Sequence, residues 1–296
     1  MNLTDRIYVA VHVALTVLVF ARHERVQHWP WYVVWNVFAV AVILLLARKR
    51  RKGVGWEFAH DWLPVILFIT VFEEVSFLSL SIRGGWQNEH LIAFESLVFA
   101  VPPAQWMHER AASWLIEFLE FGYFAFYPLY PVLGGMFWAW RDRPHFAGAF
   151  RRLTDALSVG YILCYATYLL FPTQSPANRL GVQQITSAQG GPFQGMVRLI
   201  QTHGGVHGNA FPSAHIMLVF VVLAFAYKFL PRLAPWLLIP ILLMCVGAVY
   251  DGYHYASDVA AGALVGIVVG LVFAQGQVQA PNKTLPISEG LEPLSI

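Results

Sequence analysis

Charged side chains are scarce in this sequence. Asp, Glu, Lys and Arg make up 12% of its 296 residues, whereas hydrophobic residues make up 57% and the mean hydropathy is +0.56. A soluble domain has about a quarter of its residues charged. The composition therefore excludes an ordinary soluble domain and predicts an all-α protein that crosses a membrane many times.

The chain also lacks an excess of one charge and a cysteine framework. Its formal net charge is +2, which is too small to indicate nucleic-acid binding. The 2 cysteines, Cys164 and Cys245, lie inside apolar runs and indicate packing, not a disulfide or a metal site. We therefore expect no metal, no other cofactor and no nucleic-acid partner.

Apolar runs of spanning length recur along the chain. We predict about eight transmembrane helices, at residues 7–21, 31–47, 62–82, 115–140, 153–171, 214–230, 233–250 and 258–274. The fourth run contains Pro128, Pro131 and the pair Gly134-Gly135, so we expect it to kink.

Three regions follow from this pattern. Residues 1–110 are predicted to hold the N-terminal transmembrane helices and an interfacial segment, and residues 111–275 to form a catalytic transmembrane core. Residues 276–296 are polar and contain three prolines, so we expect a disordered tail.

Basic residues predict the orientation of the spans. With both termini in the cytoplasm, most of the 19 Lys and Arg residues fall in cytoplasmic segments, including the run from Arg48 to Lys52. The segments that precede spans six and eight then both emerge on the extracytoplasmic face of the cell membrane.

Two segments on that face are predicted not to cross. Residues 83–114 mix Trp and Phe with Glu and Arg, which indicates one or two helices in the membrane interface. Residues 172–211 are rich in Gly, Gln, Ser and Pro, and we interpret them as a long connection of the kind that binds substrate.

The first chemically suggestive motif is Gly208-Asn209-Ala210-Phe211-Pro212-Ser213-Ala214-His215, which leads into an apolar run. Ser213 is predicted to be the N-cap of the following helix, and a helix N-terminus can hold a phosphate. His215 lies just inside that helix, where it could give or take a proton beside the phosphate.

The second motif spans residues 250–262, with His254 and Asp258 four residues apart at the mouth of another apolar run. A carboxylate beside an imidazole N–H fixes the tautomer and stabilises the imidazolium, which makes the histidine a base or a nucleophile. From the residues alone, either His215 or His254 could be the attacking group.

Residues 211–215 and 249–262 resemble the type 2 phosphatidic acid phosphatase superfamily of membrane lipid phosphatases and phosphotransferases. The resemblance covers about the last five spans. It implies a six-helix core whose active site opens at the extracytoplasmic mouth.

The same resemblance implies roles for individual residues. His254 would take the phosphoryl group as a phosphohistidine, Asp258 would orient His254, and His215 would protonate the leaving group. The predicted phosphate-binding residues are Ser213, Arg179, Asn209, Gly208 and Tyr255.

The sequence departs from the phosphatases of this superfamily where two phosphate-binding cations are expected. Gly247 and Ala248 stand where the third signature begins with Ser-Arg, and the first signature, Lys followed by Arg-Pro, is missing. Loss of this Arg is typical of the branch that includes inositol phosphorylceramide synthases and sphingomyelin synthases. Residues 170–179 are also similar to that branch, and Arg179 is then the candidate for the remaining phosphate clamp.

This branch implies a lipid phosphotransferase that needs no metal. It would move a phospho-head group from a membrane phospholipid to a lipid hydroxyl, with diacylglycerol, ceramide or an inositol lipid as acceptor. A lipid phosphate phosphatase, with water as acceptor, is the first alternative. A non-catalytic lipid-binding or transport protein is the second.

Several of these residues also have purely structural interpretations. Ser213 and Asp258 could serve only as helix caps, and Arg179 could bind lipid head groups at the surface. Gly262, Gly266 and Gly270 recur every fourth residue, which predicts close helix packing.

Glu73 and Glu74 lie inside the third span, where a carboxylate suggests a function. Neighbours on a helix diverge, so at most one should face a site. Head-group recognition and pairing within the bundle both remain open. His203 and His207 suggest zinc, but Gly204-Gly205 breaks the helical spacing, and His207 is kept as a possible head-group contact.

Overall fold

The computed structural model describes residues 1–109, 112–180, 191–204 and 209–275, with side chains throughout except at 201–204. These residues form helices joined by turns, with no strand among them. The α-helices are α1 Leu3–Ala21, α2 Trp29–Lys49, α3 Val54–Arg83, α4 Asn88–Phe99, α5 Pro103–His108, α6 Ser113–Phe124, α7 Phe126–Ala139, α8 Ala149–Leu170, α9 Pro176–Arg179, α10 Pro192–Gly204, α11 Ala214–Phe229, α12 Ala234–Tyr250 and α13 Ala256–Gln275. The all-α prediction is confirmed.

Each of the eight predicted spans overlaps a helix. Five helical segments are long and apolar enough to cross a membrane by themselves, namely Leu3–Ala21, Trp29–Lys52, Val54–Arg83, Pro144–Leu170 and Ala256–Gln275. Helices α11 and α12 are apolar but shorter. The protein is therefore an integral membrane protein with several spans.

The predicted fourth span is divided. Helix α6 ends at Phe124 and α7 begins at Phe126, with Ala125 between them. Pro128 explains the position of this break, because proline has no N–H to donate to the carbonyl of Phe124 and its ring crowds that carbonyl. Pro131 and Gly134-Gly135, which were also expected to kink the span, lie inside continuous α7.

The N-terminal helix is fixed to two others by buried polar side chains. A capping box between Asn2 and Asp5 begins α1. The hydroxyl of Thr4 donates to Asp155 of α8 at 2.7 Å, and the ring of His60 on α3 lies 3.0 Å from a carboxylate oxygen of Asp5. These contacts fix the start of α1 against α3 and α8.

One of the two connecting segments contains more helix than expected. Residues 83–114 hold the helices α4 and α5, as the sequence predicted. The connection of residues 172–211, which was interpreted as a long loop, contains α9 and the amphipathic helix α10. Glu117 of α6 accepts the backbone N–H groups of Gly191 and Phe193 and so caps the start of α10.

The core of the bundle is formed around α8, α11 and α13. Helix α8 approaches α11 closely, since a Cβ atom on Gly160 would lie 2.4 Å from the sulfur of Met217. The hydroxyl of Tyr168, near the end of α8, donates to the carbonyl of Pro212 at 2.8 Å. The loop before α11 is thereby fixed to the core.

The expected tail, 276–296, lies outside the described residues, and the three-region division remains a prediction.

Candidate active site

Ser213 begins α11 as the sequence predicted. Its Oγ atom accepts the backbone N–H of Ile216 at 3.3 Å, which is the N-cap interaction. The same Oγ atom lies 3.1 Å from Nε2 of His254. Because the hydroxyl already accepts from Ile216, its own hydrogen can point to the imidazole.

His254 is held by two acceptors on its other ring nitrogen. Its Nδ1 atom lies 3.1 Å from the carbonyl oxygen of Ala210 and 3.4 Å from Oδ2 of Asp258. A carbonyl and a carboxylate both require a donor, so this network assigns the proton to Nδ1. Nε2 then carries the lone pair and faces Ser213.

Asp258 is fully buried in the first turn of α13. Its Oδ2 atom also accepts the backbone N–H of Tyr255 at 2.8 Å, and its own carbonyl accepts the N–H of Ser213 at 3.1 Å. Asp258 is therefore both a helix cap and a link between the two motifs. Its Oδ1 atom has no hydrogen-bond partner in the described part of the chain.

His215 completes a pair of imidazoles. Its ring centroid lies 6.2 Å from that of His254. The rings of Phe126 and Tyr123 lie 5.0 Å and 6.2 Å from His215. The break between α6 and α7 therefore lies beside His215, and two aromatic rings fix the position of that imidazole.

The glycine repeat on α13 brings the two motifs together. A Cβ atom on Gly262 would lie 2.4 Å from the carbonyl oxygen of Ser213, and one on Gly266 would lie 2.4 Å from that of Met217. A Cβ on Gly270 would lie 2.8 Å from Ala224. The predicted close packing is confirmed, and its partner is α11.

Three predicted phosphate-binding residues have other partners in this structure. Arg179 forms an ion pair with Glu89 in which both side chains are solvent-accessible. The hydroxyl of Tyr255 accepts from Asn88 at 3.1 Å, and the amide of Asn209 donates to Ser76 at 2.7 Å. Gly208 and His207 lie outside the described residues, and for His203 only the backbone is described.

Glu73 and Glu74 face different ways, as their positions on one helix required. Glu73 is exposed, whereas Glu74 is buried and accepts from the amide of Asn36 on α2 at 2.7 Å. Asn36 in turn contacts the ring of His12 on α1. The structure therefore places Glu74 in a network that joins α1, α2 and α3.

The two positions where the phosphatases carry Ser-Arg are closed to large side chains. Ala248 is fully buried, and its carbonyl accepts the backbone N–H of His254 at 2.8 Å. A Cβ atom on Gly247 would lie 3.2 Å from the backbone carbonyl of Leu119 on α6. The packing of α6 against α12 therefore fills the space beside these residues.

Sequence reasoning missed a polar group beside the histidines. Glu120 of α6 is fully buried and accepts a hydrogen bond from the hydroxyl of Tyr253, and Asp251 is 9% exposed. Burial, with the charge of Glu120 added, raises the pKa of Asp251 to about 9, and Arg198 opposes this rise. The only available signal was a carboxylate inside an apolar run, which is the signal that drew attention to Glu74.

No metal centre emerges from the side chains that can be placed. Among the described residues, no group of three or more His, Cys, Asp and Glu side chains is arranged to hold a metal ion. The chemistry available in this region is that of two imidazoles, a buried carboxylate, a hydroxyl and a helix N-terminus.

These features define a class. The protein is a multi-span membrane protein in which a carboxylate-held imidazole, a second imidazole and a helix N-terminus meet where α11 and α13 begin. Residues 137–281, just under half of the chain, match the model of the PAP2 superfamily, which supports the type 2 phosphatidic acid phosphatase superfamily. No curated protein and no solved structure gives a match to the chain.

The superfamily match carries a general activity. Its members are lipid phosphatases and phosphotransferases, and the match supports an enzyme of this superfamily that acts on membrane lipids. The matched range includes Ser213, His215, His254 and Asp258, whereas α1 to α6 lie outside it.

Proposed function

We propose that this enzyme transfers a phospho-head group from a phospholipid to the hydroxyl group of a second lipid, as inositol phosphorylceramide synthases do. The observation that carries the proposal is the pair of contacts on His254. Its Nδ1 atom lies near two acceptors, and its Nε2 atom faces the N-cap hydroxyl of Ser213. An imidazole in this state is a nucleophile with its lone pair directed to a phosphate-binding helix end.

In the first step, the Nε2 lone pair of His254 attacks the phosphorus of the donor lipid. The bond between phosphorus and the diacylglycerol oxygen breaks, and that oxygen takes a proton from His215, which the negative charge of the bound phosphate would hold protonated for this step. The head-group phosphoryl is then covalently bound to His254. Asp258 stabilises the resulting positive ring through Nδ1–H, and the N–H groups that begin α11 stabilise the phosphoryl oxygens.

In the second step, the hydroxyl oxygen of the acceptor lipid attacks the phosphorus. His215, now neutral, takes the hydroxyl proton, and the electron pair of the P–N bond returns to Nε2 of His254. A new phosphodiester is released and both histidines regain their starting protonation. The spacing of the two rings suits a phosphoryl group between them, because the 6.2 Å between the ring centroids is about twice the ~3–3.5 Å separation of reacting atoms.

Transfer to a lipid is favoured over hydrolysis by the missing cations. Gly247 and Ala248 are packed against α6 and against the backbone of His254, so the arginine of the phosphatases has no counterpart there. We propose Arg179 as the cation of the site. Its guanidinium would leave the exposed Glu89 and bind a phosphate oxygen. We further propose that the site opens on the extracytoplasmic face and that both termini are cytoplasmic.

Turnover by the purified full-length protein tests this function. Wild type and His254→Ala are compared in detergent with mixed phospholipids, diacylglycerol and ceramide, with lipid mass spectrometry and released inorganic phosphate read in parallel. We expect new head-group lipids that are absent with His254→Ala. Phosphate release without exchange would instead identify a phosphatase, and exchange that persists in His254→Ala would contradict the mechanism.

A further inference from the structure

A second polar cluster lies beside the histidines and takes no part in the proposed mechanism. It comprises Glu120, Asp251, Tyr253 and Arg198. Tyr253 donates to one carboxylate oxygen of Glu120, whereas Oε2 of Glu120 and Oδ2 of Asp251 have no hydrogen-bond partner among the described residues. Buried carboxyl oxygens without partners are costly, so their retention calls for an explanation.

The cluster is one aromatic ring away from the reacting groups. The ring of Tyr253 lies 5.0 Å from that of Tyr123, and Tyr123 lies 6.2 Å from His215. In an in-line displacement, the attacking and leaving atoms are on opposite sides of phosphorus and the other oxygens project sideways. The head group, carried on one of these oxygens, can therefore reach a cluster beside the two imidazoles.

Helix α10 packs against α6 on one side of the cluster. Its start is fixed by Glu117, three residues before Glu120 on α6, and it carries Arg198, whose charge acts on both Glu120 and Asp251. Val197, next to Arg198, is fully buried. The cluster thus combines two carboxyl groups, a guanidinium and a tyrosine hydroxyl.

We propose that Glu120 and Asp251 determine head-group specificity and that they bind the hydroxyl groups of a polyol. The inference rests on the proposed function, because it assigns the head group that His254 transfers. A polyol supplies several donors and acceptors in one rigid group, which matches two unpartnered carboxyl oxygens beside a guanidinium. The arginine disfavours binding of a quaternary ammonium, since it adds a positive charge to the same cluster.

The balance of charge agrees with a polyol. With a pKa of about 9, Asp251 is protonated at neutral pH and can donate as well as accept. A neutral carboxyl group beside an arginine offers little attraction to a cation. A site that binds hydroxyl groups rejects ligands without them, because its own polar groups are then left unpaired.

Binding of soluble head-group probes tests the proposal without turnover. The full-length His254→Ala protein is titrated with glycerophosphoinositol, glycerophosphoethanolamine and glycerol 3-phosphate. We expect glycerophosphoinositol to bind at least tenfold more tightly than glycerophosphoethanolamine. Adding Glu120→Gln or Asp251→Asn should weaken glycerophosphoinositol binding about tenfold and change glycerol 3-phosphate binding less than twofold.

Glu24→Gln is the matched control, since Glu24 is exposed in the turn between α1 and α2. Unchanged glycerol 3-phosphate binding shows that a variant is folded, and Asp251→Asn decides alone if Glu120→Gln does not fold. Equal losses for all three probes, or tighter binding of the ethanolamine probe, would overturn the proposal.

The binding and transfer results separate the two claims. Selective polyol binding by a protein that shows no turnover would support the subsite and contradict the proposed transfer. If Glu120→Gln and Asp251→Asn both transfer an inositol head group at unchanged rates, the result would support the transfer and contradict the subsite.

Discussion

Nε2 of His254 lies 3.1 Å from Oγ of Ser213, although 41 residues separate them in the sequence. Each residue is positioned at the start of a different membrane helix, and the Ser213 N–H also bonds to the carbonyl of Asp258. One serine thus caps its own helix, orients the imidazole lone pair and joins the second motif.

Asp258→Asn should reduce turnover by about 10²- to 10⁴-fold with little change in KM. Asparagine has no negative charge to stabilise the positive ring of His254. If its amide nitrogen takes the position of Oδ2, it also donates to Nδ1 and favours the wrong tautomer. Steady-state kinetics with the lipid substrate measures this. A kcat within threefold of wild type would show that Asp258 is only a helix cap.

Gly262→Ala should destabilise the protein by about 1–3 kcal/mol and reduce activity more than tenfold, because the new methyl group would press on the carbonyl of Ser213. Thermal unfolding in detergent and lipid turnover measure the two effects. Gly135→Ala in α7 is the matched control, since a Cβ there meets nothing within 4 Å. Equal behaviour of the two variants would contradict the close contact of α11 with α13.

Glu74→Ala should lower the free energy of unfolding by roughly 1–2 kcal/mol, because one N–H of the buried Asn36 amide loses its acceptor while the other still donates to the carbonyl of Tyr32. Glu73→Ala, one residue away and exposed, should change it by about 0.5 kcal/mol or less. Turnover per folded molecule should stay within twofold in both. A selective loss of turnover in Glu74→Ala would instead favour head-group recognition.

Arg179→Gln should lower kcat/KM about tenfold if this arginine moves to the phosphate, since a charge-assisted hydrogen bond is lost. Stability should be unchanged because the ion pair with Glu89 is solvent-accessible. Glu89→Gln breaks the same ion pair but keeps the arginine, and should retain kcat/KM. If both variants behave alike, only the ion pair matters and Arg179 is not the clamp.

Asp251→Asn should change how stability depends on pH. Because the folded protein raises the pKa of Asp251 from 3.8 to about 9, it holds a proton that the unfolded chain releases. This carboxyl therefore makes the free energy of unfolding fall as pH rises from about 4 to about 9. Asp251→Asn removes that contribution, so its Tm relative to wild type should be higher at pH 8 than at pH 5.

Features that depend on a repeating local pattern could be predicted from the sequence. The apolar helices, the cap at Ser213 and the glycine repeat all follow from spacing along one helix. The structure has the cap, the repeat and a helix at each apolar run, although only five helical segments are long enough to span a membrane by themselves. His254 lies two residues before α13 and Asp258 lies in its first turn, so their contact across four residues was also predictable.

Features that depend on contacts between distant segments could not be predicted. Asp251 and Glu120 come together only when α6 packs against the end of α12, and nothing in either segment reveals the other. Asn209 was predicted to bind phosphate, but whether its amide faces the site or α3 is decided by Ser76, far away in sequence. Helix α10 was missed because Gly and Gln obscure its apolar positions and because its cap, Glu117, lies on another helix.

The contact between α11 and α13 makes the site insensitive to membrane thickness. Gly262, Gly266 and Gly270 seat α13 against α11 at three successive levels, so neither helix can slide along the other. In a thinner or thicker bilayer the two helices must tilt together as one rigid pair. The distance between Ser213 and His254 is thereby preserved while the surrounding helices adjust.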